Sequence, residues 1–193
     1  TSQAMVNEAP RALRQQMVAT FDPSELRMTP LEARRFADTL AAGAAADGRV
    51  THVALSIDDS VRFGLPSAPR TSDRFAALVG MTPAWVDVME VRLLTGRRLT
   101  DADDHSTAML SARAAEMIAP GTSPLGMVLR VAHESSAARE VRDVRIVGVV
   151  ADNPLRPTVE RPDPVIYVPL PKALSGEFTL HVRAADPEAL RAD

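Results

Sequence analysis

The chain has 193 residues, 46% of them apolar, and 22 basic against 25 acidic side chains leave a formal charge of −3. That length buries one good-sized core or two small ones packed together; the composition excludes intrinsic disorder and argues against a nucleic-acid binder that works by neutralising phosphates. Lys172 is the only lysine and lies between Pro171 and Ala173, which removes nucleotide hydrolysis by a Gly-Lys-Ser/Thr phosphate loop, and the lack of cysteine removes disulfides, thiolate metal sites and cysteine nucleophiles.

No apolar run nears the roughly 20 residues that cross a bilayer; the nearest, Ile146 to Ala151, is strand-sized. The start, Thr1-Ser2-Gln3-Ala4, has neither a basic nor an apolar leader segment. The chain reads as a soluble piece of a longer polypeptide.

In chain order, residues 5–16 read as a short helical lead-in and Met17–Phe21 as a strand closed by Asp22-Pro23. The clearest helix start follows. Thr29 is the N-cap, Pro30 takes the first helical position and Glu32 completes a capping box. Leu31, Phe36, Leu40 and the small residues around Ala44 share one face at 3.6 spacing, and Asp47-Gly48 stops the helix. Val50–Ile57 alternates as a strand, with Val53, Leu55 and Ile57 on one side and His52, Ala54 and Ser56 on the other. Strand, helix and strand make one βαβ unit. Asp58–Ser72, with Gly64, Pro66 and Pro69, reads as a loop.

Phe75–Val79 resumes as a strand, and Thr82-Pro83 opens a helix over Pro83–Met89 that buries Trp85, Val88 and Met89. Val91–Leu94 precedes a Gly96-Arg97-Arg98 turn. Met109-Leu110 ends a strand, Ser111 caps a helix over Ala112–Ala119 with Ala115, Ile118 and Ala119 inward, and Pro120-Gly121 breaks it. Gly126–Val131 and Val144–Val150 are strands joined through a polar tip at His133–Glu140. Asp152–Pro164 is loop, Val165–Val168 is extended, and Phe178–Arg183 alternates again. Asp186-Pro187-Glu188 starts a second capped helix whose length, up to Asp193, is too short to hold itself together; an element continues beyond it. The organisation is two βαβ-like halves with a large insertion between them.

Chemistry-bearing motifs are sparse. His52, His105, His133 and His181 show no helical pairing and no HExxH pattern, and His52 and His181 on strands read as solvent-facing. Asp101, Asp103, Asp104 and His105 form the densest polar cluster. It lacks the glycine and distal glutamate of a calcium loop, and the Thr100/Asp103 spacing reads as a cap. Gly121, Ser123 and Gly126 miss the Gly-x-Ser-x-Gly spacing of a nucleophile elbow by one residue. Arg34-Arg35 and Arg97-Arg98 read as solvated faces.

Across residues 79–182 the order of motifs becomes specific. VGMTPAWVDVMEVRLLTGRRLTDAD (Val79–Asp103), AMLSARAAEMIAPGTSPLGMVLRV (Ala108–Val131), VRIVGVVADN (Val144–Asn153), VIYVPLPKA (Val165–Ala173) and FTLHVRAADPEAL (Phe178–Leu190) resemble, in sequence order, blocks of the extracytoplasmic domain of MacB/FtsX-like ABC-type permeases. Ser111 stands where asparagine is usual in that family.

The resemblance implies an α+β fold: a porter-like βαβ subdomain (1–58 plus 174–193) carrying an inserted, mostly β subdomain (59–173) with two short helices, as in the MacB periplasmic core. It implies a position between the first and second transmembrane helices, on the periplasmic side of the inner membrane. It implies no catalytic, cofactor-binding or metal-binding residues and no cofactor. The implied partners are the permease's own transmembrane helices, a separate ATPase subunit, and a periplasmic adaptor or exported substrate, with no nucleic acid. The implied role is mechanotransmission, passing ATP-driven motion outward.

Two other readings belong to different classes. One is a self-standing periplasmic ligand-binding or hydrolytic protein using the Asp101–His105 cluster or the 58–72 loop; the other is an obligate oligomerisation module.

Overall fold

The computed structural model describes residues 16–133, 141–152 and 163–186. The expected helix at 5–16 therefore falls outside the described residues except for Gln16, which is strand. The second helix start beyond Asp186, the 134–140 tip and most of the 152–164 loop also lie outside them.

β1 (Gln16–Phe21) leads through a turn to α1 (Pro30–Ala45) and back into β2 (Val50–Gly64). The capping box at Thr29 forms as expected: the Glu32 N–H reaches Thr29 Oγ1 at 3.4 Å, and the Thr29 N–H donates to Glu32 Oε2 at 2.8 Å. The buried face of α1 is made by Ala33 and Ala37, with Phe36, Leu40, Ala41 and Ala44 packed beside them. Leu31, expected on that face, is 53% exposed. The helix lies close against the sheet, and small side chains rather than large ones fit the contact.

β2 runs to Gly64, so residues 58–64 are strand where a loop was expected. Beyond it come a single 3-10 turn (Arg70–Ser72), β3 (Arg74–Met81), α2 (Trp85–Val88) and β4 (Leu93–Gly96). β5 (Thr107–Ser111) feeds α3 (Ala112–Ile118), followed by β6 (Val128–His133), β7 (Val141–Val150), β8 (Val165–Pro169) and β9 (Phe178–Ala184). Thr82 does not cap α2 with its side chain: its hydroxyl accepts from the Leu55 N–H at 3.0 Å, and the helix begins only at Trp85.

The strands form two continuous arrangements. β1 and β2 both pair antiparallel with β9, so they run parallel to each other with β9 between them, and α1 crosses one face of this three-stranded sheet. From Ser56 onward β2 pairs β3, then β8, β5, β7 and β6 follow, and β6 returns to pair β2 at Val61–Gly64. Those six strands close a small barrel. Alternate residues fill its interior, among them Val61 and Phe63, Ala76 and Leu78, Ala108 and Leu110, Leu129 and Val131, Val144 and Ile146, and Ile166 and Val168. α3 plugs the far end with Ala114 and Ala115.

A second cluster lies outside the barrel, where α2 covers Val79, Met81, Met109, Val165 and Tyr167; Trp85 and Tyr167 lie with ring centroids 5.4 Å apart. The third joins α1 to the three-stranded sheet and holds Phe21, Phe36 and Phe178, with Phe21 and Phe178 stacked at 5.3 Å. Gly148 permits a crossing within the barrel wall: a Cβ there would stand 2.2 Å from the Arg97 carbonyl oxygen.

Ser111 ties two parts of the chain together. Its fully buried hydroxyl accepts from the Ala114 N–H at 3.2 Å and from the Val165 N–H at 3.0 Å. Removing it orphans two buried donors, each costing about 1–3 kcal/mol, whereas the exposed cap at Thr29 is worth about 1 kcal/mol. In urea unfolding, Ser111→Ala is expected to lower stability about twice as far as Thr29→Ala; an equal or smaller loss contradicts this account.

Candidate functional site

The junction between the three-stranded sheet and the barrel carries the concentrated polar chemistry. It has two open clefts and one buried cluster.

The first cleft is the barrel mouth, a cavity of about 490 Å³. Asp59, His133 and Arg142 occupy inward positions of β2, β6 and β7 just beyond the apolar interior, His105 joins them from the segment before β5, and Leu78 and Val168 form the floor. His133 Nδ1 lies 2.7 Å from Asp59 Oδ2. The connector after β8 crosses this mouth, its Leu170 N–H bonded to the Met81 carbonyl at 2.9 Å. Gly80 allows the crossing, since a Cβ there would meet Ile57 at 2.9 Å and Pro171 at 3.1 Å.

The second cleft, of about 590 Å³, lies on the other side of the connector, with Arg34 and Lys172 on one wall and the Asp101–Ser106 loop on the other. Arg34 pairs with Asp38 and donates to the Pro171 carbonyl at 2.6 Å. The acidic loop is built on itself. Asp103 accepts from the Thr100 N–H and hydroxyl at 2.9 Å and from both Arg97 amino groups at 2.7 Å, and these donors hold its carboxyl well below the usual range. Asp104 is taken by Ser106, which lowers it too. Arg98 pairs with Asp87. Arg97 and Arg98 are exposed, as expected of solvated faces, and form surface ion pairs; Arg34 is half-buried and paired with Asp38. Among the described residues, no group of three or more His, Asp or Glu side chains is placed to hold a metal ion.

The buried cluster centres on His181. This residue was expected to face solvent, and it does not: it is 7% exposed, beneath the edge of Trp85. Gln16 Nε2 of β1 lies 2.8 Å from its Nδ1, and Ser56 Oγ of β2 lies 2.8 Å from its Nε2. With the Gln16 amide nitrogen facing Nδ1, the amide donates to the ring, and the tautomer that fits carries its proton on Nε2 and gives it to Ser56. A serine that accepts from histidine is not activated as a nucleophile, which needs the opposite direction of transfer. His52 on the same strand as Ser56 is exposed, and Ser123 sits on an exposed turn.

Neither Gln16 nor Ser56 was singled out from the sequence. The available signal was phase: Ser56 alternates with Ala54, and both turn out buried on the face opposite α1.

The point where β1 begins is adjacent to the point where β9 ends, Gln16 facing Arg183 across the ladder. Arg183 fastens this edge to the α2 segment, pairing with the Glu90 carboxylate and donating to the Asp87 carbonyl at 3.3 Å.

The MacB-like periplasmic core domain family matches residues 4–192 of the chain. Among solved structures, the periplasmic region of MacB from Actinobacillus actinomycetemcomitans is similar at a TM-score of 0.60 and 19% identity, covering 92% of this chain and 80% of that one. The extracellular domain of the noncanonic ABC-type transporter YknZ from Gram-positive bacteria is similar at 0.58 and 18%, covering 90% and 88%. No curated protein matches.

Burial pushes His181 down to about 4 from an ordinary value near 6.5. Between those values the unfolded chain binds a proton that the folded chain refuses, so stability rises with pH across the window and falls on acidification through it. The carboxylates held low, such as Asp47 at about 2, titrate below it. Urea midpoints at pH 7 and pH 4.5 should therefore differ by an amount equivalent to about 2–3 kcal/mol, and a His181→Gln chain should lack most of that difference.

Proposed function

The chain belongs to the MacB-like periplasmic core domain family, and from that membership we propose that it is the non-catalytic, extracytoplasmic part of an ABC permease subunit that relays transmembrane-helix motion outward. The observation that carries this reading is the shared pole. β1 begins, β2 begins and β9 ends at one end of the three-stranded sheet, with Gln16 opposite Arg183 and Val50 opposite Ala184. Force arriving there through the chain on either side enters a hydrogen-bonded ladder at once.

β2 then carries it away from that pole. The strand has 15 residues and spans about 45 Å at roughly 3.3 Å per residue, from the α1 layer to the closed end of the barrel. The division into a 1–58 plus 174–193 subdomain and a 59–173 insertion is part of this proposal. β2 crosses that boundary without a break and makes a rigid lever of the two. The partners on this reading are the permease's own transmembrane helices and a separate ATPase subunit, on the periplasmic side of the inner membrane, with an adaptor or exported substrate at the far end and no nucleic acid.

The test uses the full permease with its ATPase. The chain itself lacks cysteine, so once cysteines elsewhere in the permease and ATPase are replaced, a spin label at Ser67→Cys, an exposed position just past β2, and a second on a transmembrane helix can be placed specifically. Coupling predicts a changed distance distribution between nucleotide-free and vanadate-trapped states. An unchanged distribution in a preparation that hydrolyses ATP overturns the proposal.

A further inference from the structure

We propose that Gln16, His181 and Ser56 form a proton-operated latch: protonation of His181 turns the Gln16 amide over and releases the start of β1 from the α2 segment. In the neutral state the Gln16 amide nitrogen serves two contacts, His181 Nδ1 at 2.8 Å and Met89 Sδ at 3.2 Å. Its oxygen is buried and has no partner among the described residues. That arrangement suits only a ring whose Nδ1 is an acceptor.

A proton taken up from solvent sits on Nδ1 and sets two donors against each other at hydrogen-bond distance. The acceptor at hand is the Gln16 oxygen, brought round by half a turn of the terminal torsion. The same turn withdraws the amide nitrogen from Met89. On the other side of the ring nothing changes, because Ser56 Oγ already accepts from Nε2–H. The effect is confined to β1 and its tie to the segment that follows α2.

The surroundings oppose protonation without forbidding it. From β9, Arg183 occupies the same face two residues on, its charge offset by Glu90. From β2, His52 lies across from Arg183 in the ladder. The α2 segment presents the Trp85 edge and Met89, with Asp87 engaged by Arg98 outside. Among the described residues no carboxylate hydrogen-bonds to the ring, which accords with a site that resists charge until the medium is acid. That this pole faces the transmembrane helices rests on the function proposed above; the latch itself does not.

The test is a nuclear magnetic resonance titration of the labelled 193-residue chain from pH 7.5 to 3.5. The expected result is a ring proton on Nε2 at neutral pH and a His181 midpoint near 4. The Gln16 side-chain amide and the β1 backbone amides should follow that midpoint, while those of β6 and β7 stay still. Gln16→Glu places a carboxylate opposite Nδ1 and should raise the midpoint by about 1–3 units; His181→Gln should abolish the β1 response.

A ring that titrates while the Gln16 amide stays unmoved overturns the latch. So does a midpoint indifferent to Gln16→Glu, or a simultaneous loss of all native resonances in place of a local change. If His181→Gln does not fold, the Gln16→Glu shift decides. A positive titration with no movement in the spin-label distances would leave the latch standing and remove the relay.

Discussion

The architecture depends on one strand having two edges and three partners. β3 takes one edge of β2 from Ser56 to Phe63, while the other edge serves β9 as far as Ile57 and then β6 from Val61. Backbone donors and acceptors buried in a sheet must be paired, so the handover fixes where the three-stranded sheet stops and where the barrel begins. Asp58, Asp59 and Ser60 lie at the handover, where one edge of β2 has left β9 and has not yet met β6. Polar side chains are tolerated there because that stretch borders the open mouth rather than either core.

The same local chemistry made this stretch illegible from sequence. Three polar residues followed by Gly64 and Pro66 carry every local sign of a loop, and the pairing that makes the stretch strand comes from β3 and, from Val61 onward, from β6, which lies far along the sequence. Where the determinants were local, the reading survived: the Thr29 capping box, the Ser111 cap and the alternation of Val53, Leu55 and Ile57 are all present. The buried face of α1 was legible in phase but not in residue size, because close approach to a sheet selects Ala33 and Ala37 over a leucine. Thr82 shows the converse, a good local cap diverted to a tertiary partner.

The candidate site was legible only as a scatter of parts. Each histidine was visible, but nothing near His181 in sequence signals its burial; Ser56 and Gln16 lie 125 and 165 residues away. The family resemblance was legible for a different reason. It rests on the order of short turn-and-strand blocks, which a fold preserves when particular side chains drift, and the structural relatives share fold at 18–19% identity.

The far end of β2 and its middle are fastened by different chemistry. At the far end Arg130 reaches across from β6 to Asp73 at 2.6 Å and to the carbonyls of Pro66 and Ala68 at 3.3 Å, clamping the 65–73 segment with both side chains almost buried. Arginine does not deprotonate in proteins, and breaking such a pair strands a buried charge. Midway along β2 the contact towards β1 is a neutral ring between an amide and a hydroxyl, whose worth depends on the proton count, while the Arg183–Glu90 pair fastens the same edge to the α2 segment. On the relay proposed above, the Arg130–Asp73 clamp would hold the barrel end, and the His181 contacts would be the ones whose strength follows the ring's proton count.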